Sequence, residues 1–359
     1  MKTNVLLVQE SIVSYRLPVY NLIAEKANLT IGYTSKSNAN IIDKFEVVKL
    51  NKFTFKGFHI IKNNFNELCK NYDVVIIMAD LHYLSYCLLP FLKRDFKVIP
   101  WTIGIRASYS RRYDVNRKKK LIDKIYLKLL QKSDAVIFYM AEAKKFWGNS
   151  LDKKSIFIAH NTVEVLNINL DFDINKKKSI LFLGTLYKEK KIYELINAFI
   201  KAKEKAESKN FLRLDIIGKG VELEFILELI KKHKLENSVF LHGAIYDETE
   251  LAKFFNNAIL CVSPDQAGLS VIKSMGYGVP FVTRSNAITG GERFNIRDNV
   301  NGMFYDEEAQ LTKIIVDAFI NPKKFIKMGK RAKDYYASNT TIQIMADNVL
   351  KAINFSLNK

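Results

Sequence analysis

The stretch Ile259–Thr283, ILCVSPDQAGLSVIKSMGYGVPFVT, decides how this chain folds. ILCV is an apolar run of strand length, and Pro264 and Gly268 mark a tight loop after it. Residues from about Leu269 to Tyr277 have helical spacing, and Gly278 with Pro280 end that helix before a second apolar run, PFVT. Strand, helix and strand joined by short turns make a crossover unit of a parallel sheet. The same alternation extends back through SILFLG, KIYELINAFIKAKEKA, LRLDIIG, VELEFILELIKKHK, SVFLHG and ETELAKFFNNA. Ile192, Leu195, Ile196, Phe199 and Ile200 give the first of these helices a clean apolar face.

The first half repeats the pattern with NVLLV, LTIGYT, YDVVIIM, FKVIPWTIG, DAVIFY and KSIFIAH as strands, mostly separated by helical segments. In RLPVYNLIAEK, Pro18 fits the first turn of a helix. Residues 166–178, LNINLDFDINKKK, lack helical periodicity and end in a lysine run, so they form a linker. The expected organisation is a first Rossmann-like domain over 1–165, a linker over 166–178 and a second Rossmann-like domain over 179–338. A long amphipathic helix in 339–359 returns to the first domain. The fold class is α/β, with two parallel-sheet domains facing a central cleft.

Composition narrows the function classes. The 359 residues are 48% hydrophobic and 26% charged, as in a globular protein of ordinary two-domain size. The N-terminal apolar run is broken early by Gln9 and Glu10, so no signal peptide is expected, and no window approaches a transmembrane helix. Cys69, Cys87 and Cys261 are widely spaced and odd in number, which suits a reducing cytoplasm and argues against structural zinc. The net charge of +19 favours anionic partners. It is concentrated in Arg106–Lys128, where nine Lys or Arg face two Asp above apolar residues at helical spacing. Arg111, Arg112, Arg117, Lys118, Lys119 and Lys120 form the patch, either for an anionic membrane or as a solvated face. The charge also admits a nucleic-acid binder, but no RNP, KH or zinc-finger pattern accompanies it, so no nucleic acid is expected.

Ligands of open α/β sheets bind beyond the carboxyl ends of the strands. In the second half GTLYKEKK follows one strand, with Lys188, Lys190 and Lys191 shortly after Gly184. Lysines at a helix start oppose its dipole unless an anion lies between them. Gly218 and Gly220 in GKG let backbone approach a flat ligand. HGAIYD and the SPDQAG loop complete the edge.

In their order and spacing these pieces resemble the second domain of a GT-B fold, retaining glycosyltransferase of family 4, of the bacterial surface-polysaccharide type. FLGTLYKEKKIYELINAF resembles its phosphate-binding element and LDIIGKGVELEFIL its base-binding turn. DQAGLSVIKSMGYGVPFVT resembles its two-acid signature, and GGERFNIRDNVNGMFY the segment after it. SYRLPVYNLIAEK, PWTIG, KSDAVIFYMAEAKKF and IAHNTVEV resemble first-domain landmarks of bacterial members.

The resemblance implies that Lys190 neutralises a donor diphosphate, helped by Lys188. The amides around Gly268, Leu269 and Ser270 would cap its distal phosphate. Asp265 would orient hydroxyls of the transferred sugar, and Glu292 would lie near the donor. Arg16, His82 and Arg106 are the acceptor-side candidates. Two positions depart from the family. Thr185 replaces an arginine on the diphosphate, and Lys273 replaces the second acid, which would accept ribose hydroxyls. Lys273 either donates to ribose or phosphate oxygens or points to solvent.

The implied reaction moves a sugar from a UDP-, GDP- or dTDP-linked donor to a lipid-linked or oligosaccharide acceptor in capsule, O-antigen or exopolysaccharide assembly. It would need no metal and no cofactor. The implied location is cytoplasmic, peripheral on the inner face of the plasma membrane. A homologue that binds sugar nucleotides without transfer, or an epimerase, is the alternative that Lys273 supports.

Overall fold

The structure is a computed structural model that describes residues 2–62, 64–107, 112–167, 172–206 and 212–359. Its contacts divide the chain into two units. The first holds residues 2–107, 114–164 and 341–359. The second holds Arg112, Tyr113 and residues from Val165 to Thr340. The units part at 164/165 and 340/341; the expected linker residues are grouped with the second unit, as are Arg112 and Tyr113.

The strands of the first unit are β1 Asn4–Gln9, β2 Asn28–Tyr33, β3 Glu46–Lys49, β4 Lys52–Phe55, β5 Phe58–Ile61, β6 Val74–Met78, β7 Lys97–Thr102, β8 Val136–Phe138 and β9 Ile156–Ile158. Its helices are α1 Leu17–Ala24, α2 Phe65–Cys69, α3 Leu84–Leu88, α4 Leu121–Lys132 and α5 Glu142–Trp147. Among the described residues a seven-stranded sheet runs β3-β2-β1-β6-β7-β8-β9, with every pair parallel. β4 and β5 form a separate antiparallel hairpin.

The second unit contains β10 Ser179–Leu183, β11 Arg213–Ile217, β12 Val239–Leu241, β13 Ala258–Val262, β14 Phe281–Arg284 and β15 Gly302–Tyr305. Its helices are α6 Ile192–Ala206, α7 Leu223–Lys232, α8 Glu248–Asn257, α9 Leu269–Gly276, α10 Glu308–Ile320 and α11 Pro322–Asn339. Among the described residues its six strands are also all parallel, in the order β12-β11-β10-β13-β14-β15. That is the doubly wound order, whose ligands lie at the carboxyl edge near β10 and β13, where the strand order reverses. The central strands are near-continuous apolar runs because helices cover both faces.

The last helix, α12 Ile342–Leu357, belongs to the first unit. Thr341 caps it by accepting from the Ile344 amide at 3.2 Å. Met345, Ala346, Val349, Ala352 and Ile353 bury its apolar face in the core formed by β1, β2 and α1. No described helix is long and apolar enough to cross a membrane.

Candidate donor site of the second unit

The carboxyl edge of the second sheet is built by loops that pack on one another. The Gly184 amide donates to the Ile217 carbonyl and the Leu186 amide to the Lys219 carbonyl, both at 3.0 Å. A Cβ at Gly218 would lie 1.9 Å from the Gly184 oxygen, and one at Gly220 would lie 2.2 Å from the Leu186 oxygen. These glycines were expected to admit a flat ligand. Their structural task is to let the β10 and β11 loops touch, because any side chain would push the loops apart.

Past Leu186 the chain makes one 3-10 turn, Lys188–Lys190. Lys188 points outward and Lys190 inward. Gly184 leaves room for the Lys190 ammonium: a Cβ there would stand 3.3 Å from Nζ. The ammonium lies 6.0 Å from the Tyr187 ring centroid. Among the described residues it forms no ion pair. Burial lowers its pKa to about 8, because a desolvated ammonium is costly, while Cys261 and Glu292 act more weakly in the other direction. The next residue, Lys191, takes a left-handed backbone conformation with φ of 50° and turns its side chain toward Asp265.

Asp265 follows β13 and is buried. Arg112 grips its carboxylate with both terminal nitrogens, each at 3.0 Å, and Lys191 Nζ approaches Oδ2 at 2.9 Å. Burial alone would raise the pKa of this acid. The hydrogen bonds from Arg112 and Lys191 outweigh it and hold the group below the usual carboxylate value. Arg112 also donates to the Asn286 carbonyl at 2.7 Å. Its assignment to a membrane patch is therefore corrected: this guanidinium is committed to the second unit. Tyr187 and Gln266 add a side-chain hydrogen bond between the same two loops.

Glu292 is buried in a 3-10 turn, Glu292–Asn295. Its Oε2 accepts from Thr289 Oγ1 at 3.1 Å and from the Gly290 amide at 3.0 Å, and its field reaches Lys190. Gly268 opens α9, and a Cβ there would meet nothing within 4 Å. The Ser270 hydroxyl beside it is buried without a hydrogen-bond partner among the described residues. Leu269 and Ser270 thus begin a helix whose first amides border open space.

Lys273 follows neither of its two expected courses. It is buried, and its ammonium forms an ion pair with Glu248, the first residue of α8. Tyr277 Oη donates to the other Glu248 oxygen at 3.2 Å. The acid missing from α9 has a counterpart in the adjacent helix. A buried lysine on an apolar helix demands such a partner, and the acidic start DETE of α8 supplies it. Thr185, the other departure, is exposed.

The acceptor-side candidates lie in the first unit. Arg16 is buried: it donates to Asn161 Oδ1 at 2.6 Å and is surrounded by the Tyr15, Trp101 and Tyr139 rings at 5.3–5.6 Å. It also touches Met345 of α12, so it ties the turn after β1 to the last helix instead of presenting its charge. His82 is exposed and pairs with Asp80 at 2.8 Å. Arg106 is half-buried and contributes to the field at Asp123. In the expected membrane patch, Arg117 is bound by the buried Asp123 at 2.7 Å, which removes it from the surface charge. Lys118, Lys119 and Lys120 are exposed, and Arg111 lies outside the described residues.

The topology and the loop architecture define the GT-B fold, two parallel-sheet α/β units with a loop-built edge on the second. Residues 169–335 match the family described as "Glycosyl transferases group 1". The protein CapJ of Staphylococcus aureus is 29% identical over 182 residues, covering 49% of this chain and 42% of CapJ. The poly(glycerol-phosphate) alpha-glucosyltransferase of Bacillus subtilis is 28% identical over 210 residues, covering 55% of this chain and 28% of that protein. The chain thus spans less than half the length of either relative. Among solved structures, Anabaena HepE in complex with UDP superposes with a TM-score of 0.69 at 13% identity, over 99% of this chain and 100% of that one.

Proposed function

We propose that this protein is a retaining glycosyltransferase that takes a sugar from a nucleotide-sugar donor in the assembly of a bacterial cell-surface polymer. One observation carries the reading: Lys190 is a buried ammonium with no carboxylate paired to it among the described residues, at the carboxyl edge of the second sheet, where ligands of such sheets bind. Burying a charge without a counter-ion is costly unless a ligand supplies one. The amides at the start of α9, which have no side-chain cap among the described residues, offer a second anion contact. The family match and the UDP complex of HepE support a nucleoside diphosphate as that ligand. The name of the Bacillus relative, a poly(glycerol-phosphate) alpha-glucosyltransferase, supports a surface polymer as the product; the proposed acceptor is lipid-linked or an oligosaccharide.

In this reading Lys190 and the α9 amides neutralise charge as the bond from the anomeric carbon to phosphate breaks. The acceptor oxygen attacks from the same face, and its proton passes to the leaving phosphate oxygen, so no carboxylate nucleophile is required. Asp265, pre-charged by Arg112 and Lys191, orients hydroxyls of the transferred sugar. In this reading Glu248, paired with Lys273, keeps a carboxylate at this edge, which supports transfer over a binding-only homologue or an epimerase.

A panel of UDP-, GDP- and dTDP-linked sugars tests this. One donor should raise the melting temperature in excess and be slowly hydrolysed by the purified protein. A panel in which no nucleotide sugar shifts the melt sinks the proposal.

A further inference from the structure

The turn Glu292–Asn295 carries a charge that no contact described so far neutralises. Arg293 is half-buried, and its guanidinium makes neither an ion pair nor a hydrogen bond among the described residues. It lies 5.0 Å from the centroid of the adjoining Phe294 ring. Burial lowers its pKa and the nearby Arg112 adds repulsion, yet a guanidinium stays charged. Other half-buried arginines are matched. Arg94, Arg117 and Arg284 meet Asp134, Asp123 and Glu194 at 2.7–2.9 Å.

Two sets of contacts bring Arg293 toward Asp265. The Ile288 amide donates to the Asp265 carbonyl and the Ala267 amide to the Ile288 carbonyl, both at 2.8 Å. The segment leading to the turn therefore runs beside the SPDQAG loop. The Phe294 ring meets the Tyr113 ring edge to face, with centroids 5.1 Å apart. That contact sets Arg293 and Arg112, the residues before each ring, within range of one another. The acid at the centre is already used. Both oxygens of Asp265 accept from Arg112, and Lys191 adds to Oδ2. Glu292 is held by Thr289 and the Gly290 amide. With the Asn286 carbonyl counted, Arg112 spends three of its five N–H groups, and Arg293 spends none of its own among the described residues. Arg112, Lys191 and Arg293 thus share one carboxylate, with donors to spare.

We propose that the sugar transferred carries a carboxylate, as in a hexuronate, and that Arg112 and Arg293 recognise it. A hydroxyl would take up spare donors but leave the surplus charge. A carboxylate answers both and fits the planar guanidinium fork. Asp265, among these cations, is the residue that orients the sugar in the transferase reading, on which this inference rests. The diphosphate is the weaker claimant for the two arginines, because Lys190 feels Cys261 and Glu292 and neither arginine.

The test is calorimetric titration of the full chain with glucuronate, galacturonate and mannuronate linked to UDP, GDP or dTDP. Each is set beside its neutral hexose parent, with the free nucleoside diphosphates as references. One uronate should bind about tenfold to a hundredfold more tightly than its parent, as a charged hydrogen-bonded contact does. Arg293→Met should erase that margin and leave affinity for the free diphosphate unchanged. Arg293→Lys should keep part of it, since the charge remains without the fork. Should Arg293→Met fail to fold, Arg293→Gln takes its place, with the same loss expected. A neutral parent that binds as tightly as its uronate overturns the proposal, as do Met or Gln variants that retain the margin. So does an equal loss for the free diphosphate, which would put Arg293 on the phosphates. Diphosphates that bind without any preferred uronate sink this proposal alone. A protein that binds no nucleotide and no nucleotide sugar sinks the transferase reading, and this inference with it.

Discussion

Lys190 and Lys273 are both buried lysines at the carboxyl edge of one sheet, yet their surroundings differ in kind. Lys273 meets Glu248 across two helices, and Tyr277 holds the second oxygen of that acid. Lys190 meets a ring, a glycine and, at longer range, a thiol and an acid, but no ion-pair partner among the described residues. A paired buried charge can be architecture. An unpaired one raises the energy of the empty protein and is tolerated where a ligand relieves it. The contrast separates a lysine with a partner in the fold from one that, under the proposed function, would find its partner in the donor.

The largest expected effect is on activity. Lys190→Met should lower kcat by about two to three orders of magnitude, as loss of one preorganised contact to developing charge does. The melting temperature should stay equal or rise, since an unpaired buried charge is removed. Steady-state kinetics with a thermal melt measure both. A variant with near-normal turnover and a lowered melt would put Lys190 in the same class as Lys273.

The pH response sharpens the contrast further. With its pKa at about 8 in the free protein, Lys190 is charged below that value and neutral above it. A diphosphate favours the charged form, so calorimetric affinity for the matching nucleoside diphosphate should be flat below pH 8. It should then fall by up to about tenfold per unit above. The linkage to folding has the opposite sense. Between about 8 and the ordinary 10.5 the unfolded chain binds more protons, so stability should rise with pH. Both slopes should vanish in Lys190→Met.

For the other lysine the expected loss is stability. Lys273→Met strands the partly exposed Glu248 and should cost about 1–3 kcal/mol in denaturant unfolding. With Glu248→Gln, a double-mutant cycle should show a coupling of about 0.5–3 kcal/mol. A cycle that closes at zero would mean that the pair contributes nothing to the fold.

The smallest effect concerns Arg112. It is part-exposed, so Arg112→Ala should change stability by about 1 kcal/mol or less. The Michaelis constant for the sugar nucleotide should shift severalfold while affinity for the free nucleoside diphosphate holds, because Arg112 touches Asp265 and not Lys190. Equal shifts for both ligands would place Arg112 on the diphosphate.

Most of the fold was legible because buried parallel strands are continuous apolar runs, as in SILFLG and YDVVIIM. The hairpin was not. FTFKGFHII alternates apolar and polar residues on both sides of a Lys-Gly turn, but each strand is only four residues long, too short to stand out beside the long apolar runs of the sheet. At the site, Lys190 and Asp265 were visible from their places after strands. Arg112 was not, since it reaches Asp265 across 153 positions and no local spacing announces such a contact. Glu248 left a faint signal, a buried lysine in want of an acid and an acidic helix start nearby. The GKG glycines are ambiguous in sequence because steric need between two loops and access for a ligand select the same residue.

The last helix bears on synthesis as well as on architecture. α12 supplies one wall of the first unit's core, yet the ribosome makes it only after all of the second unit. While residues 165–340 emerge, the first unit carries an uncovered apolar groove over β1, β2 and α1 and relies on chaperones or on slow closure. The second unit has no such debt and can fold first. Reversal of the usual N-to-C order is therefore written into the connectivity. Stalling translation before residue 341 should yield a protease-resistant second unit beside a degradable first one.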